Sequence, residues 1–263
     1  MRAVKHWVKD PVCYLYPISD VHLGSKDFDE ESEDKLCGYL RWIEKTPEAR
    51  AVLVGDILNT ATLTTKGSPH EQRLDLQEQL DLAFKLFKPI KGKIIGASDG
   101  WHETVLQRYV GYSPTVTLCN LLGIEYFGYS GVTVLGVGQH RQGNRKPFPD
   151  CSYVIYQHHT TGGGATPGGK INRVDRLRLI VANADVYLGA HNHALGAMPV
   201  ETYIVDERTG LIAPKRQLLV DCGGYVAWDG SYAEAMQLPP LKRGSARIRF
   251  NGSGDRKDVH VDL

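Results

Sequence analysis

Short runs rich in Val, Ile, Leu and Tyr recur along the chain, each closed by Gly, Asp, Ser or His. Residues 13–18 run into Ser19 and Asp20, 51–54 into Gly55 and Asp56, and 93–97 towards Asp99 and Gly100. Residues 153–157 run into His158, and 186–190 into His191. Near-continuous apolar runs of this length predict strands buried on both faces. Pro17 sits inside the first run, which points to an edge position or a bulge, because proline has no N–H for the ladder. Helical periodicity fills the intervals. Leu36, Leu40 and Ile43 share one helical face. Leu80, Ala83, Phe84 and Phe87 share another, with charges opposite. Ser68, Pro69, His70 and Glu71 read as the start of that second helix, with Ser68 as N-cap. A third helix is expected over residues 174–182.

Strand alternating with helix predicts a layered α/β fold. Residues 123–137 and 200–225 read as short antiparallel strands and turns, so the sheets are expected to be mixed. Residues 139–150 are polar, carry Arg141, Arg145, Lys146, Pro147 and Pro149, and read as a loop. Residues 158–169 are rich in Gly and Thr and read as a mobile loop over the site. No linker divides the chain, so one domain over 1–263 is expected.

Composition narrows the classes. Hydrophobic residues make up 42% and charged residues 23% of 263, as in an ordinary globular chain. The net charge of +1 gives no bulk pull towards nucleic acid or membrane. The cysteines, Cys13, Cys37, Cys119, Cys151 and Cys222, are odd in number, scattered and without a CxxC pair, which speaks against a disulfide framework or a thiolate zinc site. There is no apolar leader near the N-terminus and no run of the roughly 20 residues needed to span a bilayer. A cytoplasmic protein is the expectation.

The strand ends carry the candidate chemistry. Functional groups in open α/β sheets gather outside the carboxyl ends of strands. Asp20 and His22 follow the first run, Asp56 the second, His102 the third, His158 the fourth, and His191 with His193 the fifth. One such residue is ordinary turn chemistry; five strand ends in one chain are not. Imidazole and carboxylate together suit divalent Mn, Fe, Zn or Ni. Two such ions about 3.5–4 Å apart clamp a phosphate and activate water. The Asp20-x-His22 and His191-x-His193 spacings would put each pair on one side of an extended segment.

Asp20-Val21-His22, Gly55-Asp56-Ile57-Leu58-Asn59, Gly100-Trp101-His102-Glu103, His158-His159 and Gly189-Ala190-His191-Asn192-His193 together resemble the five blocks of calcineurin-like metallophosphoesterases, in that family's order. Residues 158–164 with Lys170-Ile171-Asn172 are also similar to bacteriophage-encoded members. The resemblance implies an α/β/β/α sandwich with two metal ions, manganese first among the candidates. It implies Asp20, His22 and His193 at one metal, His158 and His191 at the other, and Asp56 bridging. It implies His102 over the phosphate, stabilising charge and protonating the leaving oxygen, with a metal-activated hydroxide attacking phosphorus in line. His158 directly continues its apolar run and is preferred as ligand over the adjacent His159, which is then an outer or substrate-facing group. The third block departs from the family's Gly-Asn-His pattern. Indole offers only an N–H and cannot bind a metal. So the second site is weakened, or water, Asp99 or Asn59 fills in, or that metal is lost; Trp101 itself packs against the site wall or stacks on a base.

The leading expectation is a hydrolase acting on a phosphodiester, in a nucleotide or nucleic acid. A small-molecule phosphomonoesterase is the alternative within the class. A metal-poor binding module is the alternative outside it, favoured by Trp101 alone. No HExxH pair supports an amide hydrolase, and Lys170 is followed by Ile171, so the glycine-rich stretch is not a P-loop. Lys170, Arg173, Arg176 and Arg178 read as a solvated helix face. Tyr225, Trp228, Tyr232 and Glu234 either line a cleft or pack in the core.

Overall fold

The computed structural model describes residues 1–62, 69–140, 146–162, 164, 166–253 and 257–263. Two sheets pack face to face. The six-stranded sheet is ordered β13 (Val259–Asp262), β12 (Arg247–Asn251), β2 (Val12–Ile18), β3 (Ala49–Val54), β4 (Ile94–Ser98) and β5 (Glu125–Gly128). The seven-stranded sheet is ordered β1 (Arg2–Val8), β6 (Ser130–Val137), β7 (Cys151–His158), β8 (Val186–Gly189), β10 (Ile212–Gly224) and β11 (Gly244–Ser245), with β9 (Leu195–Val205) on the outer side of β10. Both sheets mix parallel and antiparallel pairs.

Period-2 alternation divides each strand between two cores. Cys13 and Leu15 of β2, Val52 and Val54 of β3, Tyr153 and Ile155 of β7, and Val186 and Leu188 of β8 meet between the sheets. The intervening residues face outward onto helices. Tyr16, Ile18, Ala51 and Leu53 pack under α1 (Glu30–Lys45), α2 (Leu76–Phe87) and α4 (Pro114–Leu122). Tyr156, Tyr187 and Leu219 pack under α5 (Pro167–Asp175) and the 3-10 turn Arg176–Leu179. The layers are therefore α/β/β/α, the arrangement the resemblance implied, and the alternation of strand and helix foretold a layered α/β fold.

Several local expectations are corrected. The second helix starts at Leu76, capped by Asp75 in a reciprocal box with Glu78, while Pro69–Glu71 is a separate 3-10 turn. Ser68, expected as its cap, lies outside the described residues, as do Arg141, Arg145 and Gly163. The third helix is Pro167–Asp175 rather than 174–182, because Thr166 caps it and the Pro167-Gly168-Gly169 stretch is its first turn. Residues 123–137 do form short strands, but in different sheets and only partly antiparallel: β5 runs parallel to β4 in one sheet, and β6 runs parallel to β1 and antiparallel to β7 in the other. Pro17 lies in a central strand, but β12 stops opposite Leu15, so β2 has one neighbour at Pro17 and no N–H is needed on the other side. Among the described residues no helix is long and apolar enough to cross a membrane.

Candidate active site

The loops leaving β2, β3, β4, β7 and β8 converge at one end of the sheet pair. Their backbones do not stay extended. Among the described residues, seven non-glycine residues have positive φ, and five of them are Asp20 (49°), His22 (52°), Asp56 (49°), His191 (80°) and His193 (53°). Side-chain alternation along an extended segment is therefore not what brings Asp20 to His22 or His191 to His193. Left-handed turns do it, at roughly 1–2 kcal/mol of local cost per residue. Such strain concentrates where surrounding structure enforces it and where chemistry uses it.

The enforcement is visible. Asp20 N–H donates to Gly55 O (3.1 Å), and the N–H groups of Val21 and His22 both donate to Asp56 O (2.9 and 3.1 Å). Glu103, at the start of α3 (Trp101–Val110), is buried and accepts from three backbone N–H groups. Oε2 takes those of Asp56 and Gly100, and Oε1 takes that of Leu58, each at 3.0 Å. Gly100 has to lack a side chain, since a Cβ there would stand 2.1 Å from Asp56 N and Oδ1.

Among the described residues three donor groups result, each with its ligand atoms within 4.8 Å of one another: Asp20, His22 and His193; His22, Asp56 and His102; Asp56, His159 and His191. Each carboxylate divides its oxygens. Asp20 Oδ2 accepts from His191 N–H (3.0 Å), while Oδ1 lies 3.5 Å from His193 Nε2 and 3.9 Å from the Nε2 atoms of His22 and His159. Asp56 Oδ1 accepts from His102 N–H (2.8 Å), and Oδ2 faces His159 Nε2 at 3.0 Å. The rings of His22 and His193 stack at 5.1 Å, and His102 meets His22 edge-on at 4.6 Å.

The structure reverses one preference. His159, not His158, joins the donor groups, and the reason is strand parity. On β7, Gln157 points between the sheets, where its amide donates to Leu53 O and Ser98 Oγ. His158 therefore points to the α5 side, and His159 returns to the face of Gln157. The ring of His159 is fixed by Nδ1–H donating to Val54 O at 2.7 Å, which leaves Nε2 turned to the carboxylates. The remaining expected residues, Asp20, His22, Asp56, His102, His191 and His193, are brought together.

Trp101 donates its indole N–H to Thr160 O (3.0 Å) and sits 6.5 Å from the His191 ring. It ties α3 to the segment after β7. Asp99 joins none of these His, Asp and Glu groups among the described residues, its Oδ2 accepting from the Tyr126 hydroxyl, and the Asn59 side-chain N–H donates to Gln72 Oε1 at 3.4 Å. Lys170 is not on a solvated face. It is buried, with Nζ donating to Asn192 O at 2.7 Å beneath the His191–His193 turn, and Asp221 Oδ2 lies 3.4 Å from the Asn192 amide. Its helical register with Val174 and Leu177 carries that signal in the sequence. Tyr225 is core, its hydroxyl on Ser245; Trp228 is half-buried and donates to Leu238 O; Glu234 accepts from Gly230 N–H.

The electrostatics are those of a cation site. Asp20 and Asp56 are 0% and 1% exposed, and burying carboxylates unpaired is costly. Burial opposes the charge of His159, but Asp56 and Asp20 outweigh it and raise its pKa to about 10. Burial, then the His159 charge, pushes His191 down to about 4. Burial, then His102, holds His22 well below its usual range. Burial and the Asp56 charge lift Glu103 to about 8. The residues fit divalent ions on three counts. Asp20 Oδ1 and His22 Nε2 are buried without a hydrogen-bond partner. His159 presents the Nε2 of a tautomer fixed by a carbonyl, the usual arrangement of a ligating histidine. The donor set is the imidazole–carboxylate mixture such ions take.

No family model matches the sequence, and no curated protein matches it. Among solved structures the chain is similar to the calcineurin-like phosphoesterase YfkN from Bacillus subtilis, at 11% identity over 68% of this chain and 61% of that one, with a TM-score of 0.30. It is also similar to the NAD nucleotidase NadN of Haemophilus influenzae, at 11% identity over 97% of this chain and 51% of that one, with a TM-score of 0.36. The chain thus spans roughly six-tenths and one half of the lengths of these two proteins.

Proposed function

We propose that this chain is a metal-dependent phosphoesterase of the calcineurin-like type that hydrolyses phosphodiesters of nucleotides or nucleic acid. The observation that carries the reading is the set of three interlocking donor groups, which share Asp56 and His22 and leave Asp20 Oδ1 and His22 Nε2 buried without partners. Asp20, His22 and His193 would hold one divalent ion and His159 and His191 a second, with Asp56 between them. Divalent ions in such a site, manganese being the first candidate, supply Lewis acidity towards a phosphoryl oxygen and make water acidic enough to attack near neutral pH.

The chain's own residues orient and donate. Glu103 fixes the Asp56 backbone, and Asp20 and Asp56 tie neighbouring loops through His191 N–H and His102 N–H. His102 Nδ1 is bound to the Asn59 carbonyl, so Nδ1 carries a hydrogen and Nε2 is the atom free to hold a proton for the leaving oxygen. His102, His191 and His193 are half-buried rather than sealed, and an open site suits a phosphorus with substituents on both sides.

The test is hydrolysis of bis-(p-nitrophenyl) phosphate against p-nitrophenyl phosphate. EDTA-stripped protein is given each divalent ion in turn, beside Asp56→Ala and His102→Ala. The expected result is ion-restored diester cleavage that both substitutions abolish. Cleavage of the monoester alone would move the substrate to phosphomonoesters. Folded protein that takes up no ion and cleaves neither substrate would overturn the proposal in favour of a binding module.

A further inference from the structure

Asn192 lies between His191 and His193, and both of its neighbours are left-handed, at φ 80° and 53°. A turn of this kind persists only where surrounding groups hold it. On the side of α5 three hydrogen bonds do so. Thr160 Oγ1 donates to Ala190 O at 2.6 Å. Lys170 Nζ donates to Asn192 O at 2.7 Å, a short bond of the charge-assisted kind. The Asn192 side-chain N–H returns a bond to Lys170 O at 3.4 Å. Lys170 and Asn192 therefore hold each other, and both are buried, at 6% and 5% exposed. The height of the ammonium follows from how α5 docks. Thr166 caps the helix through Gly169 N–H, and Gly189 leaves room for Val174, whose Cγ2 would stand 2.6 Å from a Cβ there. A buried ammonium is costly, and this one sits beside a centre read as binding cations. Burial lowers its pKa, and the charges of Asp221 and Asp20 oppose that shift.

We propose that Lys170 is a positioning residue of the candidate metal centre: its ammonium fixes the Asn192 carbonyl and so aims His191 and His193. The proposal rests on the metal-dependent reading given above. His193 belongs to the donor group of Asp20 and His22, and His191 to that of Asp56 and His159. One hydrogen bond thus serves both groups, because the residue it holds lies between their two histidines. Charge and position act here in opposite senses. A positive charge beside a cation site repels the cations. Were charge its main effect, removing the ammonium would strengthen ion binding. Loss of the held turn weakens it, so the sign of the change separates the two.

Calorimetric titration of the EDTA-stripped full chain with Mn2+ tests this, on wild type, Lys170→Met, Lys170→Gln and Val174→Ala. Methionine keeps the apolar stem and removes the donor. Glutamine is neutral, too short to reach the carbonyl and tolerant of a water in the vacated space, so it serves where methionine prevents folding. Either change should weaken every ion the wild type takes up by about tenfold or more, the usual effect of losing a group that orients metal ligands. Val174→Ala loosens the packing of α5 without removing a bond to Asn192, and should lower the urea midpoint while leaving ion affinity unchanged. Unchanged or tighter ion binding in a folded Lys170 variant overturns the inference and leaves the proposed function standing. An equal loss of affinity in Val174→Ala also overturns it, since Lys170 would then act only by holding α5 in place. A wild-type chain that takes up no ion overturns both.

Discussion

Replacing Glu103 should loosen the whole candidate centre, and the size of the effect follows from its hydrogen bonds. The side chain is 2% exposed and accepts from Asp56 N–H, Gly100 N–H and Leu58 N–H, all at 3.0 Å. With its pKa lifted to about 8, the carboxyl is largely neutral near pH 7; hydrogen bonds to a neutral acceptor contribute about 0.5–1.5 kcal/mol each, and a buried donor left unpaired costs about 1–3 kcal/mol. Water entering the vacated space offsets part of the loss. Glu103→Ala should therefore cost about 3–5 kcal/mol, a large share of the roughly 5–15 kcal/mol that holds a domain folded. Glu103→Gln keeps the shape and one acceptor oxygen but aims an NH2 at a donor, and should cost about 1–2 kcal/mol. Urea denaturation of ion-free protein reads both values. Calorimetric titration with Mn2+ separates positioning from stability, because the freed Asp56 backbone should lower ion affinity in folded Glu103→Ala protein. A stability loss below about 1 kcal/mol, or unchanged ion affinity, would refute the claim that Glu103 holds the Asp56 turn.

Three further outcomes are expected. His6, on β1, accepts from Arg50 Nε–H (2.8 Å) on β3, and burial followed by the Arg50 charge holds its pKa at about 4 against an ordinary 6.5. The unfolded chain takes up that proton first, so the contribution of His6 is complete above pH 6.5 and is lost as pH falls towards 4; His6→Gln should flatten the stability profile in that window, measured by denaturation at fixed pH steps. Burial pushes the thiols of Cys13 and Cys119 up to about 12, and that of Cys222 well above its usual value, so these three should react with a thiol reagent only on unfolding, while the half-buried Cys37 reacts first and Cys37→Ser removes that early phase. Trp101→Phe removes the indole donor to Thr160 O and should lower unfolding free energy by about 0.5–1.5 kcal/mol in urea titration, whereas no change would mean that the bond is replaced by water.

The layers were legible because each buried strand is a continuous apolar run whose two faces meet two different cores, as in Val52 and Val54 against Ala51 and Leu53. The donor residues were legible because they stand where those runs end. What the sequence concealed was local geometry. Choosing between His158 and His159 needs the facing of Gln157, which depends on how β7 sits between its neighbours. The division of residues 123–137 between two sheets turns on Tyr129, a point where no hydrophobic pattern changes. Lys170 shares a helical register with the buried Val174 and Leu177, but its partner, the Asn192 carbonyl 22 residues on, is set by the packing of α5 and not by that register.

The left-handed residues join these two lessons. A sequence reading that assumes extended strand ends still collects the right side chains, yet for the wrong geometric reason. Asp20, His22, Asp56, His191 and His193 each adopt a conformation that glycine or asparagine would take more easily. Asn and Gly lack the carboxylate or imidazole these positions present. The local cost persists because neighbouring loops hold one another: Asp20 bonds His191 N–H, Asp56 bonds His102 N–H, and Asp56 O accepts from Val21 and His22. In each carboxylate one oxygen does this tying and the other faces imidazole nitrogens. Loss of either aspartate thus removes a donor atom and a loop contact together, which is why Asp56→Ala alone does not separate the two roles and Glu103→Gln, which touches only the contact, is the cleaner probe.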